Sequence, residues 1–249
     1  MKKLVVAALS LLSVSVVKAQ DTGGFRIGVK AGATYSNITG KNASQIVGPN
    51  YDASLDSYKL GYNAGVSLSI PLSSDGFVAF APELLYNRKG YQITSKQTSN
   101  LATGVESVKN KQSRVLHYID VPLLAKINAG GLFFELGPQV SYLFGSKNKQ
   151  ETTTKFLNGG KDEVKNDGNF FDYTGASRGP ADKSDLAQFD IAGVAGVGYM
   201  SDGGLSVNLR YAQGFNSLID TKNVSNSKEP KAFNSAFTLQ VGYLLPLGK

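Results

Sequence analysis

The chain has 249 residues, no cysteine and a formal net charge of +7. The missing cysteine excludes disulfides, thiolate metal sites and thiol catalysis. The positive charge is mild and no basic run is interleaved with aromatic residues, so the sequence gives no indication of nucleic-acid binding. Glycine (28), tyrosine (12) and phenylalanine (13) are abundant and tryptophan is absent, a composition that suits barrel strands better than helices.

The first residues have the pattern of a secretory signal peptide. Two lysines follow the initial methionine, an apolar stretch continues to Val17, and small residues before Gln20 permit cleavage. A transmembrane helix is the competing interpretation, but the apolar run is shorter than the roughly 20 residues that span a bilayer. The sequence therefore predicts a signal peptide over 1–19 and one exported domain over 20–249. Removal of the lysines of the signal lowers the net charge to about +4.

Eight segments of the remaining chain alternate apolar and polar residues with a period of two. In the last segment, for example, Phe237, Leu239 and Val241 share one parity, while Thr238 and Gln240 lie on the other. Such alternation predicts strands with one apolar and one polar face, and the lengths are on the order of the 9–11 residues of a tilted membrane strand. In chain order the segments are 25–35, 58–70, 78–87, 119–127, 132–144, 189–199, 205–215 and 237–247.

Short and long connections alternate strictly between these segments. The short ones contain turn residues and lie at 71–76, 128–131 and 201–204. The long ones are polar and lie at roughly 38–57, 92–113, 146–187 and 217–232. This arrangement predicts an all-β, eight-stranded antiparallel up-and-down transmembrane β-barrel in a bacterial outer membrane, with three short periplasmic turns and four long extracellular loops. Both termini are then periplasmic, and outer-membrane lipid is a predicted partner.

A soluble barrel, such as a lipocalin-like ligand-binding protein, has the same number of strands with the apolar parity turned inward. Two features favour the membrane barrel. The polar parity is dominated by glycine, serine, asparagine and alanine, which suits a narrow lumen better than a solvated surface. Aromatic residues also concentrate near the segment ends, as in the interfacial girdles of membrane barrels; these are Phe25, Tyr35, Tyr58, Tyr86, Tyr142, Phe144, Tyr199 and Phe215.

Five short motifs stand out in the exported part. They are the first strand from Gly28 to Asn37, Pro82-Glu83-Leu84-Leu85-Tyr86-Asn87-Arg88-Lys89-Gly90, Tyr118-Ile119-Asp120-Val121-Pro122-Leu123-Leu124, Glu135-Leu136-Gly137-Pro138, and Leu209-Arg210-Tyr211. These motifs resemble the PorT-like family of outer-membrane β-barrel proteins. They run in the family's order over essentially the whole exported part. The resemblance implies the barrel fold and the outer-membrane location. The family's namesake is associated with a secretion apparatus, so the resemblance also implies an accessory role in export, by analogy.

Charged residues on the polar parity are predicted to face the lumen. An eight-stranded barrel leaves little water to solvate them, so we expect them to pair with one another and to form a structural network that fills the lumen. An ion path or an acid–base pair is the functional alternative, and a nutrient pore is not expected from this strand number. The residues are Arg26, Lys30, Lys59, Glu83, Asp120, Lys126, Glu135, Asp190 and Arg210.

Catalysis on this scaffold would depend on His117, the single histidine. It falls on the apolar parity near the loop end of its segment, where an outward-facing imidazole meets no catalytic partner. We therefore expect no enzyme activity, no metal site and no cofactor.

Two functional hypotheses follow. The first is a barrel that acts through loop-mediated contacts with envelope or secreted proteins, or as an accessory to export or envelope integrity; loop aromatics favour it, namely Phe156, Phe170, Phe171 and Tyr173. The second is an enzyme that modifies lipid or the cell surface. Conduction of small solutes is a third possibility.

Overall fold

The computed structural model describes residues 24–41, 43–44, 52–55, 58–98, 100–166, 170–171, 177–220 and 231–246. The predicted signal peptide lies outside these ranges, as do Tyr173 and the side chains of Phe170 and Phe171. No helix in the described ranges is long and apolar enough to span a bilayer.

The described chain is built from β-strands. In chain order these are β1 (Arg26–Thr39), β2 (Asp52–Leu55), β3 (Lys59–Pro71), β4 (Val78–Gln97), β5 (Val105–Ala129), β6 (Leu132–Phe156), β7 (Lys161–Asn166), β8 (Phe170–Phe171), β9 (Ser177–Arg178), β10 (Phe189–Met200), β11 (Leu205–Gly214) and β12 (Phe233–Pro246).

Eight of these strands form a closed ring. Neighbours along the ring are β10, β11, β12, β1, β3, β4, β5 and β6, and β6 pairs back with β10. Every pairing is antiparallel. Closure leaves the ring without an unpaired strand edge. This confirms the predicted eight-stranded up-and-down barrel.

The apolar parity of the strands points out of the barrel. On β11, Leu205 and Leu209 are 56% and 51% exposed, whereas Asn208 and Arg210 of the same strand are 3% and 4% exposed. A soluble barrel requires the opposite distribution, because water would meet the outer surface. The outer surface is therefore suited to lipid, as predicted.

Aromatic side chains form contacting groups around the extracellular end of this apolar surface. Tyr35 stacks on Tyr58 with ring centroids 5.1 Å apart, and the ring centroids of Phe237 and Tyr211 are 4.8 Å apart. On the other side of the ring a second group joins Tyr62, Tyr86, His117 and Phe144. We call these residues the extracellular girdle. Membrane barrels place aromatics in this way at the interface.

Three strands extend much further from the girdle than the sequence pattern indicated. The predicted long loops at 92–113 and 146–187 are partly strand, since β4 continues to Gln97, β5 begins at Val105 and β6 ends at Phe156. The short strand β2 pairs with the end of β4, and β7 pairs with the end of β6. The prediction was wrong here because both faces of these segments are polar. A search for apolar alternation cannot detect such strands.

Close approach between strands explains Gly32 on the lumen side of β1. A Cβ atom at this position would lie 2.1 Å from the backbone oxygen of Leu239 on β12. Since backbone atoms cannot move aside as a flexible side chain can, a larger residue must separate the two strands.

We predict that Gly32→Val destabilises the barrel by about 1–3 kcal/mol, the usual range for overpacking. The measurement is the urea midpoint of the refolded barrel, followed by the difference in gel migration before and after boiling. Ala33→Val is the matched control, because Ala33 is exposed on the lipid-facing side of the same strand. Equal midpoints for the two variants would contradict the close approach.

Candidate functional site in the lumen and at the extracellular mouth

A cluster of charged side chains lies in the lumen, and Arg210 of β11 is at its centre. Its Nη1 and Nη2 atoms donate to the two carboxylate oxygens of Glu83 on β4, at 2.6 and 2.8 Å. The same guanidinium donates through Nη2 to Glu135 of β6 at 2.9 Å and also bonds it through Nε. Lys30 of β1 donates to Glu83 at 2.5 Å. Four strands of the ring are therefore tied together by two carboxylates and two cations.

A chain of neutral polar side chains continues from this cluster through the lumen. It begins where Asn208 donates to Glu135 at 2.7 Å, and it ends where Asn87 donates to Asp120 at 2.8 Å. The intermediate members are Gln240, Asn63 and Thr34, joined by hydrogen bonds of 2.6 to 3.4 Å. Side chains contributed by every second residue thus replace water along most of the barrel axis.

Lys89 completes this chain and was not in the predicted set. Its Nζ lies 2.9 Å from a carboxylate oxygen of Asp120, and both side chains are buried. The predicted strand ended at residue 87, so Lys89 lay outside the predicted strands. Its parity, shared with Glu83 and Asn87, is the signal that could have identified it.

The other predicted lumen charges have separate environments. Arg26 and Lys126 approach the sulfur of Met200 at 4.0 Å, and Lys126 also stands 3.8 Å from the ring centroid of Phe133. Lys59 bonds the hydroxyl of Ser113. Asp190 accepts a hydrogen bond from Asn234 at 2.9 Å. These four residues do not join the Arg210 cluster by any ion pair among the described residues.

A small cavity lies inside the lumen. Its volume is about 20 Å³, which is room for about one water molecule, and it is bordered by Asn87, Lys89, Gln139 and Arg210.

A hydrophobic cluster closes the lumen at its extracellular mouth. It combines inward-facing side chains of the strands with side chains of the segments after β9 and after β11. An isolated bridge joins Leu186 of the first segment to Ile219 of the second. The strand residues include Tyr91, where burial raises the pKa of the phenol, so its hydroxyl is protonated at neutral pH. The full cluster is Ile38, Ala43, Tyr91, Ile93, Leu116, Tyr118, Leu143, Leu186, Leu218, Ile219 and Ala232.

A buried ion pair fixes this cover to the barrel. Arg114 of β5 donates from Nη1 and Nη2 to the two carboxylate oxygens of Asp185, at 2.6 and 2.7 Å. It also donates to the backbone oxygen of Asp182 at 2.9 Å. Asn148 of β6 donates to that oxygen and to the backbone oxygen of Gly179. The two strands thus hold the segment from 179 to 185 over the mouth.

His117 lies in the extracellular girdle, outside the lumen. Its Nδ1 is 2.7 Å from the hydroxyl of Tyr86, and its ring stacks near Tyr86 and Phe144. The described residues bring no carboxylate or serine to this imidazole within hydrogen-bond distance. Within the same ranges, no group of three or more His, Asp or Glu side chains is arranged to hold a metal ion.

Residues 18–220 match the family described as the outer-membrane protein beta-barrel domain. The chain belongs to that family. A search of the curated proteins finds no match. The ring of strands, its lipid-facing surface and this membership together place the protein in the bacterial outer membrane.

Among solved structures, this family member is similar to several small outer-membrane barrels. Neisserial surface protein A (NspA) is 11% identical, with 90% of this chain and 99% of that chain covered and a TM-score of 0.34. Ail, the attachment invasion locus protein of Yersinia pestis, is 11% identical, with 89% of this chain and 99% of that chain covered and a TM-score of 0.39. OprG of Pseudomonas aeruginosa is 12% identical, with 91% of this chain and 98% of that chain covered and a TM-score of 0.35.

Replacement of Arg210 tests the lumen cluster. We predict that Arg210→Met destabilises the barrel by about 3–5 kcal/mol, because Glu83 and Glu135 become buried carboxylates with too few cations. The measurement is the urea midpoint of the refolded protein. The triple variant with Glu83→Gln and Glu135→Gln should regain part of the loss. Lys161→Met, which removes an exposed partner of Glu163, should leave the midpoint unchanged; a similar shift in both single variants would contradict the prediction.

Replacement of Arg114 tests the cover of the mouth. We predict that Arg114→Met accelerates hydrogen exchange of residues 179–188 by roughly a hundredfold, since a lone buried Asp185 favours opening of the segment. The barrel strands should exchange as in the wild type. Exchange followed by mass spectrometry gives both values, with Glu163→Gln as a control at an exposed pair. Unchanged exchange over 179–188 would show that the ion pair does not hold the cover.

Proposed function

We propose that this protein is a non-enzymatic, non-conducting member of its family that presents an extracellular β-sheet for contacts with envelope or secreted proteins. The observation that carries the proposal is the combination of a filled, covered lumen with strands that project beyond the membrane. From His117 in the girdle to Ser107, β5 continues for roughly 30 Å of extended chain at about 3.3 Å per residue.

The projecting part is an ordered surface of five strands. Its order is β2, β4, β5, β6 and β7, held by backbone pairing from Asp52 on β2 to Lys165 on β7. Such a rigid sheet loses little entropy when a partner binds, which favours recognition. The described residues of β7, the outer edge of the sheet, are exposed and mostly charged. Charged edge strands discourage unselective pairing with other chains.

The resemblance of the strand motifs to the PorT-like family supports an accessory role in protein export as the first role to test. The surroundings of His117 support the non-enzymatic part of the proposal, since Tyr86 occupies its Nδ1 and two aromatic rings pack against it. An enzyme acting on lipid remains the alternative, and it requires this histidine.

Complementation of a gene deletion separates these possibilities. We expect secreted or surface proteins to be depleted in the deletion strain, and to be restored by the wild type and by His117→Ala. A shortened variant, in which an Asn-Gly turn replaces residues 94–111 after the Ile93–Gln112 pair, should fold but not restore them. Gel migration before and after boiling verifies that it folds.

Other outcomes have definite meanings. Restoration by the shortened variant but not by His117→Ala would favour the enzyme. Unchanged exported proteins in the deletion strain would refute the export role and redirect the test to envelope integrity. Single-channel steps in a planar bilayer would contradict the non-conducting barrel.

A further inference from the structure

The outer face of the projecting sheet is a direct continuation of the lipid-facing surface of the barrel. The register between β4 and β5 is unshifted from Val78–Ile127 to Gln97–Val108. On β4 and β5, residues that face lipid near the periplasm therefore share their side of the sheet with every second residue beyond the girdle. On β6 a register shift opposite His117 and Tyr118 changes the parity, so Lys147 follows Phe144 on the outer side. On β5 this side carries Ile127 in the membrane, His117 in the girdle and Lys111 above it.

Above the girdle, this outer face is strongly basic. Among the residues whose side chains the structure describes, the carboxylates of this face are Glu151 and Glu163. Hydrogen bonds from Lys165 and Lys161 hold the pKa of Glu163 below its usual value. Against these the face carries Arg88, Lys96, Lys109, Lys111, Lys147, Lys149, Lys155, Lys161 and Lys165. We call this set the basic face.

The opposite face of the same strands is nearly neutral. On β5 it presents Asn110 and Gln112, and on β6 it presents Gln150, Thr152 and Thr154. Its Arg114 is already paired with Asp185, as described above. Solubility alone would not require the lysines to segregate to one side, because strands that project into water can carry charge on either face.

Some of these lysines lie in unfavourable positions for the sheet itself. Lys155 of β6 is directly opposite Lys161 of β7, which has Glu163 as a neighbour on its own strand. Lys96 of β4 is directly opposite Lys109 of β5 on one side and Asp52 of β2 on the other. Like charges at directly opposed positions destabilise a sheet. An anionic partner that lies on the face would offset this repulsion.

The position of the basic face indicates the partner. Lys147 is three residues beyond Phe144 of the girdle, and Lys111 is six residues beyond His117. Six residues are about 20 Å of strand, and at a tilt near 45° this places Lys111 about 14 Å above the girdle. A headgroup layer adds about 5–8 Å on each side of the hydrocarbon core. Lysine side chains extend toward the membrane surface, and charges act over a Debye length of about 8 Å. The nearer lysines thus reach the headgroups around the barrel.

We propose that the basic face binds the phosphate-bearing headgroups of the lipids that surround the barrel on its extracellular side. This interaction anchors the projecting sheet against the membrane surface and leaves the opposite face and the distal end for other contacts. It is independent of any protein partner.

The absence of tryptophan from the chain allows a site-specific test. Phe144→Trp places a single reporter in the girdle below the basic face, and Phe237→Trp places a matched one on the other side of the barrel; the native rings are 45% and 42% exposed. Each protein is reconstituted in bilayer discs, and quenching is compared for brominated phosphatidylglycerol and brominated phosphatidylcholine. At Phe144→Trp we expect the anionic lipid to associate about fivefold more strongly, or more, the usual gain per lysine near an anionic surface. At Phe237→Trp we expect no preference.

Two charge variants locate the effect. In the Phe144→Trp background, Lys111→Gln with Lys147→Gln should reduce the preference toward the value at Phe237→Trp. Lys41→Gln with Lys231→Gln removes the same net charge from exposed positions next to β1 and β12, and it should leave the preference unchanged. If a lysine variant fails to fold, slower amine acetylation of Lys147 in wild-type protein in anionic than in neutral discs supports the proposal.

Three results would overturn it. These are equal quenching by both lipids at Phe144→Trp, an equal loss of preference in both charge variants, and binding of soluble polyphosphate in neutral discs without any preference between the lipids. The last result would assign the basic face to a soluble polyanion.

Discussion

The structure depends on the closure of the hydrogen-bond ladder around eight strands. In lipid an unpaired backbone group has no water to bond, so a sheet can cross the membrane only when its edges meet. Here β10 returns to pair with β6, which closes the ring. Closure at eight strands then fixes the width of the lumen, and that width leaves room for side chains and almost nothing else. The clustering of Arg210 with Glu83 and Glu135 follows, since buried charges without water require one another.

The strands β4, β5 and β6 pass through two environments, the membrane and the water beyond it. Within the bilayer, the outer side of these strands is apolar and the inner side is polar. Beyond the girdle, the outer side becomes basic. The inner side first packs against the cover of the mouth through Tyr91 and Leu116, and further out it carries neutral polar side chains such as Gln112. The inside of the barrel therefore reverses from polar to apolar at the level where the outside changes from apolar to charged. The pairing of β4 with β5 continues without a break across this level.

The filled lumen and the covered mouth shift attention from transport to the cell surface. The Arg210 cluster stabilises the barrel from within, while Arg114 and Asp185 hold the cover in place. Neither group is open to a ligand from outside, because all these side chains are nearly fully buried. Among the described residues, the two faces and the distal end of the projecting sheet are the surfaces on which the proposed contacts depend. Their different charges fit the two proposed partners, lipid headgroups on the basic face and protein on the other surfaces.

The sequence alone determined the class of fold, the number of ring strands and the sides on which Lys30, Glu83 and Arg210 lie, because side-chain direction in a strand follows from a local period of two. It did not determine which charges pair, since the contacts of Arg210 join residues 75 and 127 positions apart. Nor did it reveal the projecting strands, whose two faces are mostly polar and show no regular apolar alternation. Lys89 was missed because the predicted strand ended at residue 87. The pair of Arg114 and Asp185 spans 71 positions and exists only because the ring brings β5 and β10 to the same mouth. Register and closure are properties of the whole sheet, and only the tertiary structure decided them.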